Sequence, residues 1–286
     1  PNTAARALAG AVQTRIALIY GNPSFAYLSE ILLGSLDEAT QTDVQLLLDK
    51  CDEIDAAKLA RQLAKQRVEG VILPPPFCDS AELVDALQLK NIPVALIASA
   101  APAKGVYSVA IDDYKAAKEM TAHLIALGHR RIGFILGSAD QTASAKRFEG
   151  HKAALAEAKL PFDAKLTAQG DFTYRSGLDA AQRLLMSSLR PSAIFASNDD
   201  MAAAAVAVAH AHHLDVPKDL SVCGFDDTAL ATTISPELTT VRQPVAAMAR
   251  AAVSMLAAAH RQRRQGGAPL HEHKVFAHQF VGRQSD

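Results

Sequence analysis

Short apolar runs alternate with longer amphipathic stretches along almost the whole chain. The apolar runs are rich in Val, Ile, Leu and Ala and are bounded by Gly, Pro, Asn or Asp, as buried strands are. They cover residues 16–20, 44–48, 71–73, 94–97, 132–136, 193–196 and 220–225. The stretches between them repeat apolar residues at helical spacing, over residues 27–40, 56–66, 80–88, 114–127, 145–158, 176–186, 201–212 and 245–260. This alternation predicts parallel sheets with helices on both faces.

The pattern contains more strands than one compact sheet of ordinary size holds. The chain has 286 residues, which is enough for two domains. An extended run over residues 106–111 meets Asp112 and Asp113, and a new helix follows at once, so we place the division near residue 111. Segments with Pro236 and Pro244 can carry the chain back between the two parts. We therefore predict an α/β protein with two doubly wound domains.

Composition narrows the class of protein. Lysine plus arginine total 29 and aspartate plus glutamate 30, which argues against a chain whose main task is to neutralise phosphates. Three cysteines without a CxxC pair fit a reducing, cytoplasmic setting. No apolar run reaches the length of a membrane span, and the first ten residues lack the features of a signal peptide. We expect no membrane association.

Polar side chains follow several of the predicted strands. In open α/β sheets, ligands bind beyond the carboxyl ends of the strands, and polar clusters stand there at residues 21–27, 197–200 and 226–227. Taken singly, a Ser, Asn or Asp before a helix is more often an N-cap than a ligand contact. Several such clusters converging at strand ends favour a binding site.

The chemistry of these residues suits a neutral hydroxylated ligand such as a sugar. Asn198, Asp226 and Arg147 supply planar groups that donate or accept hydrogen bonds, and Tyr27 and Phe172 offer aromatic faces for the apolar side of a ring. Two alternatives stay open at this point. Arg147 also fits a surface helix position, and Phe172 alone also fits a core position.

Catalytic patterns are absent from the sequence, which contains no GxSxG, GxxxxGK[ST], GxGxxG or HExxH motif. His271 and His273 stand two residues apart, a spacing at which two strand histidines can chelate a metal, but a solvated strand or loop is favoured. We predict no enzyme, no metal site and no cofactor; a hydrolase acting on sugars is a distant alternative.

Four segments resemble one family closely. They are GHRRIGFI at 128–135, PSAIFASNDDMA at 191–202, VPKDLSVCGFDD at 216–227 and PELTTVRQP at 236–244. In this order they resemble the bacterial lac-repressor/galactose-repressor (LacI/GalR) regulators. The resemblance implies two type I periplasmic-binding-protein-like subdomains, residues 11–111 with 244–273 and residues 112–243 with 274–286. Three crossovers join them, near Asp112, residues 242–243 and residues 273–276, and they close on a small effector.

The resemblance also implies a set of effector contacts. The matched motifs carry over Arg147, Asn198, Asp226 and Phe172. The remaining candidates match the family pattern less closely and are Tyr27, Asp112 and Gln243. Residues 141–143 occupy a loop that varies in the family and helps to set ligand choice, and the prolines at 74–76 are unusual there and could narrow the cleft.

Residues 2–9 resemble the hinge helix of this family, in which Asn2, Ala5 and Leu8 would contact DNA and Leu8 would enter the minor groove between two protomers. A helix this short is marginal in water, so we expect it to form only with operator DNA and a partner hinge. The family carries a helix-turn-helix headpiece upstream of the hinge, which this sequence lacks.

The sequence therefore predicts the effector-binding and dimerisation core of a sugar-responsive transcriptional repressor. It would act in the cytoplasm as a homodimer or tetramer, with helix 80–88 contributing to the dimer, and a sugar or sugar derivative in the cleft would modulate operator binding. A periplasmic sugar-binding protein of a transport system is the alternative, since it shares the fold and the cleft. The hinge-like start and the thiol usage favour the regulator.

Overall fold

Two parallel sheets organise the chain in a computed structural model, which describes residues 13–51, 55–267 and 271–286. The candidate hinge residues Asn2, Ala5 and Leu8 lie outside the described residues. The strands are β1 Thr14–Tyr20, β2 Val44–Lys50, β3 Gly70–Leu73, β4 Val94–Ile97, β5 Tyr107–Ile111, β6 Ile132–Leu136, β7 Thr167–Gln169, β8 Ala193–Ala196, β9 Ser221–Cys223, β10 Thr240–Arg242, β11 His273–Phe276 and β12 Gln279–Val281.

Helices connect most of these strands. They are α1 Phe25–Thr42, α2 Ala56–Lys65, α3 Ala81–Gln88, α4 Asp113–Ala126, α5 Thr142–Glu157, α6 Tyr174–Leu185, α7 Asp199–Ala211, α8 Leu230–Thr233 and α9 Val245–Arg264, with short 3-10 turns at Phe77–Asp79 and Ala164–Leu166. None of the helices within the described ranges combines the length and the apolar character that crossing a membrane requires.

The first lobe is the six-stranded sheet, in the order β11-β5-β4-β3-β1-β2, with the helices packed on it. Successive side chains of β1 point to opposite faces because a strand has a period of two. Ile16 and Leu18 pack with α1 and α9, and Ala17 and Ile19 pack with α2 and α3. Both faces are buried, so the strand is apolar throughout rather than alternating.

The second lobe is the four-stranded sheet β7-β6-β8-β9 with its own helices. Phe134 of β6 and Phe195 of β8 lie on the face covered by α4 and α5, with their rings at 5.3 Å in an edge-to-face arrangement. Ile135 and Ile194 point the other way, toward α6 and α7. Both sheets are parallel and doubly wound, which confirms the predicted fold class.

The chain crosses between the lobes three times: from β5 to α4, from β10 to α9, and from β11 to β12. β10 and β12 pair antiparallel as a ribbon, and the bridge between Cys223 and Thr239 joins this ribbon to the second sheet. The boundary predicted after residue 273 falls inside β11. Residues 274–276 pair with β5 of the first sheet, so the third crossing follows Phe276. β11 is largely exposed and has no apolar run to mark it.

Candidate functional site

A cavity lies between the lobes, at the carboxyl ends of strands from both sheets. About 410 Å³ of space within it is not filled by protein atoms, and part of that space is open to solvent. The first lobe lines it with residues that follow β1, β3 and β4, and the second lobe with residues from α5 and from the ends of β8 and β9. Five of the predicted contacts line this cavity together: Tyr27, Arg147, Phe172, Asn198 and Asp226.

Arg147 is held on three sides inside the second lobe. Its side chain is only 5% exposed, so it is not a surface helix residue. The Nε atom donates to Asp113 Oδ1 at 2.8 Å, and Nη1 donates to the carbonyl oxygen of Ser197 at 2.5 Å. The guanidinium lies over the ring of Phe225, 3.7 Å from its centroid. These contacts fix the planar fork before any ligand arrives.

Asp226 stands at a sharp turn after β9. Its φ is 111° and that of Asp227 is 57°, in a region that few non-glycine residues adopt. Asp227 anchors the turn by pairing with both Arg242 and Arg283 at 2.5 Å. Asp226 Oδ1 lies 3.9 Å from Arg147 Nη1. The strained turn therefore fixes the carboxylate of Asp227 in its two ion pairs and places the carboxylate of Asp226 beside the guanidinium of Arg147.

The pKa of Asp226 is raised well above its usual value. Burial is the largest cause, the guanidinium of Arg147 opposes it, and the nearby carboxyl of Asp199 raises the pKa further. Burial and the negative charge of Asp226 also raise the pKa of Tyr27 well above its usual range. The Tyr27 hydroxyl therefore stays protonated at neutral pH and can both donate and accept a hydrogen bond.

Asn198 both caps a helix and lines the cavity. Its Oδ1 accepts from the backbone N–H of Met201 at 3.0 Å, as the N-cap of α7, and its Nδ2 donates to the carbonyl oxygen of Phe172 at 2.9 Å. These bonds leave one Nδ2 hydrogen for a ligand. The N-cap interpretation and the binding-site interpretation of this residue are therefore compatible.

Phe172 also joins two roles, since it lines the cavity and packs on the apolar cluster of α6 and α7. Its ring occupies the space beside Gly137, where an added Cβ would lie 2.0 Å from Phe172 Cζ. The guanidinium carbon of Arg147 lies 5.8 Å from the centroid of the same ring. Gly137 thus provides the space in which the ring sits.

Asp199, next to Asn198, supports the turn from behind. Its Oδ2 accepts from the backbone N–H of Thr228 at 2.7 Å, and its Oδ1 accepts from the hydroxyl of Thr240 at 2.7 Å. Burial raises its pKa to about 7, against the hydrogen bonds from the two threonines, which lower it. Gly224 is required here, because a Cβ at that position would lie 2.3 Å from Asp199 Oδ1.

The two remaining predicted contacts lie elsewhere. Gln243 is buried behind Asp226, donates to its Oδ1 at 2.7 Å, and does not line the cavity. The Asp112 carboxylate caps α4 by accepting from the backbone N–H of Lys115, and it borders a separate cavity beside β5 and β11. Asp113 supplies the carboxylate that reaches Arg147, because the first turn of α4 directs it inward.

Sequence reasoning missed Asp113 and Phe225 as parts of the site. The pair Asp112-Asp113 was visible at a strand end, but which carboxyl faces the cleft depends on the phase of α4. Phe225 immediately precedes Asp226, and this position after a buried strand was the available signal. The Phe225 ring packs against the guanidinium of Arg147 in addition to being part of the core.

The histidines considered as a metal site lie in ordinary surroundings. His273 Nδ1 bonds to the hydroxyl of Ser108 at 2.8 Å, and the ring of His271 lies 5.1 Å from that of Tyr107. Across residues 13–51, 55–267 and 271–286, the structure brings together no group of three His, Cys, Asp or Glu side chains that could hold a metal ion.

Comparison with known proteins gives consistent matches. Residues 121–285 match the family described as "Periplasmic binding protein-like domain". Catabolite control protein A of Priestia megaterium is 33% identical over 259 residues, covering 90% of this chain and 78% of that protein. The HTH-type transcriptional regulator DegA of Bacillus subtilis is 34% identical over 253 residues, covering 87% and 74%. The solved complex of the transcriptional regulator CelR with cellobiose superposes with a TM-score of 0.87 at 29% identity, covering 99% of this chain and 89% of that one.

Proposed function

Because the chain belongs to the LacI/GalR family of transcriptional regulators, we propose that its lobes close on a sugar or sugar derivative and that closure modulates operator binding. The relatives are regulators rather than transport receptors, which favours this function over that of a periplasmic sugar-binding protein. The site belongs, on this proposal, to a cytoplasmic repressor that binds its ligand without converting it.

The observation that carries the proposal is the meeting of complementary groups in one cavity. The carboxylate of Asp226, the fork of Arg147 and the amide of Asn198 suit hydroxyl groups that both donate and accept. The rings of Tyr27 and Phe172 suit the apolar face of a sugar ring. A relative of the same fold has been solved with cellobiose, which supports a carbohydrate as the ligand class.

The mechanism we propose uses the three crossovers as hinges. An effector between the lobes favours the closed form, and closure turns the first lobes of a dimer relative to each other. This changes the separation of the two hinge segments, at residues 1–10, that would contact operator DNA through Asn2, Ala5 and Leu8. A coupling free energy of about 1–3 kcal/mol between effector and operator is enough to change occupancy strongly.

We propose that the protein is a homodimer or a tetramer through an apolar surface on α1 and β2. Leu33 is 57% exposed, Leu36 47% and Leu48 51%. β2 is the edge strand of the sheet, and Leu48 shares with Val44 and Leu46 the sheet face on which α1 packs. This surface exposes more large apolar side chains than helix α3, whose Leu83, Val84 and Leu87 are buried in its own lobe.

Isothermal titration against a panel of sugars and sugar phosphates tests the proposal. We expect binding of at least one of them, recovery of that sugar unchanged, and loss of binding in Asp226→Ala with the circular dichroism spectrum retained. Asp179→Ala is the matched control, because it removes a carboxylate from an exposed position of α6 in the same lobe. Equal affinity of Asp226→Ala and Asp179→Ala for the sugar would contradict the assignment.

A further inference from the structure

Two carboxylates reach across the cleft, one from each lobe. Asp79 of the first lobe accepts from the backbone N–H of Thr142 at 2.8 Å and from its hydroxyl at 2.9 Å. Asp200 of the second lobe accepts from the hydroxyl of Ser24 at 2.7 Å. We refer to these contacts as the Asp79 clasp and the Asp200 clasp. Each clasp ends at the N-terminus of a helix in the opposite lobe.

The Asp79 clasp completes a helix that lacks its own cap. α5 begins at Thr142, and its N-cap residue Gln141 makes no capping bond with its side chain. The first N–H groups of a helix have no partner within the helix, so an external acceptor stabilises this end. Asp79 supplies that acceptor from the other lobe, and α5 carries Arg147. The helix with the central guanidinium is thus capped only while the lobes are together.

The surroundings of Asp79 hold it in place for this contact. Asp79 ends the 3-10 turn Phe77–Asp79, and its Oδ1 also accepts from the hydroxyl of Ser99 at 2.6 Å. The hydroxyl of Thr142, in turn, accepts from the backbone N–H of Ala100 at 2.9 Å. The first lobe therefore presents both an acceptor and a donor to one threonine of the second lobe.

The Asp200 clasp has the reciprocal arrangement. Ser24 is the N-cap of α1 in the first lobe and accepts from the backbone N–H of Tyr27, while its own hydrogen goes to Asp200 in the first turn of α7. Asp200 is the third residue of the run Asn198-Asp199-Asp200, after Asn198, which lines the cavity, and Asp199, which supports the turn. Asp79, Thr142 and Asp200 do not line the cavity that holds the predicted contacts.

We propose that Asp79 and Asp200 are positioning residues, which set the affinity for the effector by stabilising the closed lobes and not by touching the ligand. Both clasps join opposite lobes, so opening breaks them together. The apparent dissociation constant of a ligand that binds the closed form is the intrinsic constant divided by the closed fraction. The inference depends on the proposed effector function for its purpose, but the open-to-closed ratio can be measured without any effector.

Distance measurements between the lobes test the Asp79 clasp directly. Spin labels are placed at Glu82→Cys in the first lobe and Arg175→Cys in the second, both exposed positions, in a Cys51→Ser background, since Cys78 and Cys223 are buried. The labelled chain is diluted with unlabelled chain, so that double electron–electron resonance reports distances within one chain. We expect Asp79→Ala to shift the ligand-free distribution toward open lobes, changing the ratio on the order of tenfold.

Two further variants keep the test decisive. Asp79→Asn retains an acceptor and should shift the ratio less than Asp79→Ala, which guards against a variant that fails to fold. Asp85→Ala removes an exposed carboxylate from the same lobe on α3 and should leave the distances unchanged. Combining Asp79→Ala with Asp200→Ala, which removes the other clasp at a residue that does not line the cavity, should open the lobes further than either alone. The affinity for the effector should fall by no more than the shift in the ratio.

The outcomes separate this inference from the proposed function. If the distances in Asp79→Ala match those in Asp85→Ala, or if sugar affinity falls without a change in distance, the clasp inference is wrong. If the distances shift as expected but no sugar binds to any variant, the clasps stand as a closing device and the sugar function is wrong.

Discussion

The interiors of the two lobes differ in the kind of polar group they bury. Among the described residues of the first lobe, the buried polar side chains are four serines: Ser24, Ser35, Ser99 and Ser108. The second lobe buries three carboxylates, a guanidinium and an imidazole: Asp113, Asp199, Asp226, Arg147 and His151. Buried charges are costly unless they are paired and hydrogen-bonded. The second lobe therefore needs a partner for each of its buried ionisable groups, whereas the buried polar side chains described in the first lobe carry only neutral hydroxyl groups.

This difference assigns separate tasks to the lobes. The polar partners of Arg147, Asn198 and Asp226 all lie in the second lobe or at its crossover, so this half of the site is formed whether the cleft is open or closed. The first lobe adds Tyr27 and neutral loop residues, and its Asp79 and Ser24 side chains form hydrogen bonds to the other lobe in the two clasps. We infer that the second lobe selects the ligand and the first lobe closes over it.

The largest expected effect comes from removing the charge at the centre of the second lobe. Arg147→Ala should lower the free energy of unfolding by about 3–5 kcal/mol, because it leaves Asp113 and Asp226 buried without their cation. Urea denaturation measures this change. The neighbouring Lys146→Ala, at a partly exposed position, should alter stability by less than about 0.5 kcal/mol. Equal effects of the two substitutions would remove the proposed contrast between the lobes.

The next largest effect is a loss of folding stability at low pH, and it arises from a buried histidine of the second lobe. His151 is buried against the ring of Phe134, and burial lowers its pKa to about 3. The unfolded chain takes up the proton near the ordinary histidine pKa, whereas the folded chain does not, so stability is lost as the pH falls below about 6.5. Between pH 7 and pH 4 this costs about 3 kcal/mol.

His151→Phe keeps a ring on Phe134 and removes the titrating group. Thr121, which contacts His151 Nδ1 at 3.1 Å, also donates to the carbonyl oxygen of Ala117 and so keeps a partner. Urea denaturation across this pH range should therefore show a flatter loss of stability in the variant than in the unaltered chain. Parallel curves for the two proteins would mean that His151 is not held neutral.

The strands with apolar runs were predictable from the sequence because their two faces are both buried. β1, β4, β6 and β8 lie close to the predicted bounds for that reason. β7, β10, β11 and β12 have only three or four residues each, and β11 and β12 expose most of their side chains, so no apolar run marked these four strands. Their pairing is decided by the sheets around them, which only tertiary structure supplies.

The site divides in a similar way. Residues at strand ends, such as Asn198 and Asp226, could be identified because topology brings such positions together. The sequence could not show which of Asp112 and Asp113 reaches the site. A shift of one residue in the start of α4 decides which carboxyl group turns toward Arg147. The clasps could not be predicted from the sequence either, because Asp79 and Thr142 are 63 residues apart and belong to different lobes.

The smallest expected effect probes Phe172, a binding group of the second lobe whose ring is positioned by packing. A Cβ at Gly137 would lie 2.0 Å from Phe172 Cζ, so Gly137→Ala must displace the ring from the position in which it lines the cavity. We expect the affinity for the effector to fall about fivefold, the scale of one aromatic contact, with stability changing by less than about 1 kcal/mol. In a Phe172→Ala background the same substitution should have no effect on affinity, because the ring through which it acts is gone. A fivefold loss that persists in that background would show that Gly137 acts by another route, and the preformed half of the site would then have to include the turn after β6.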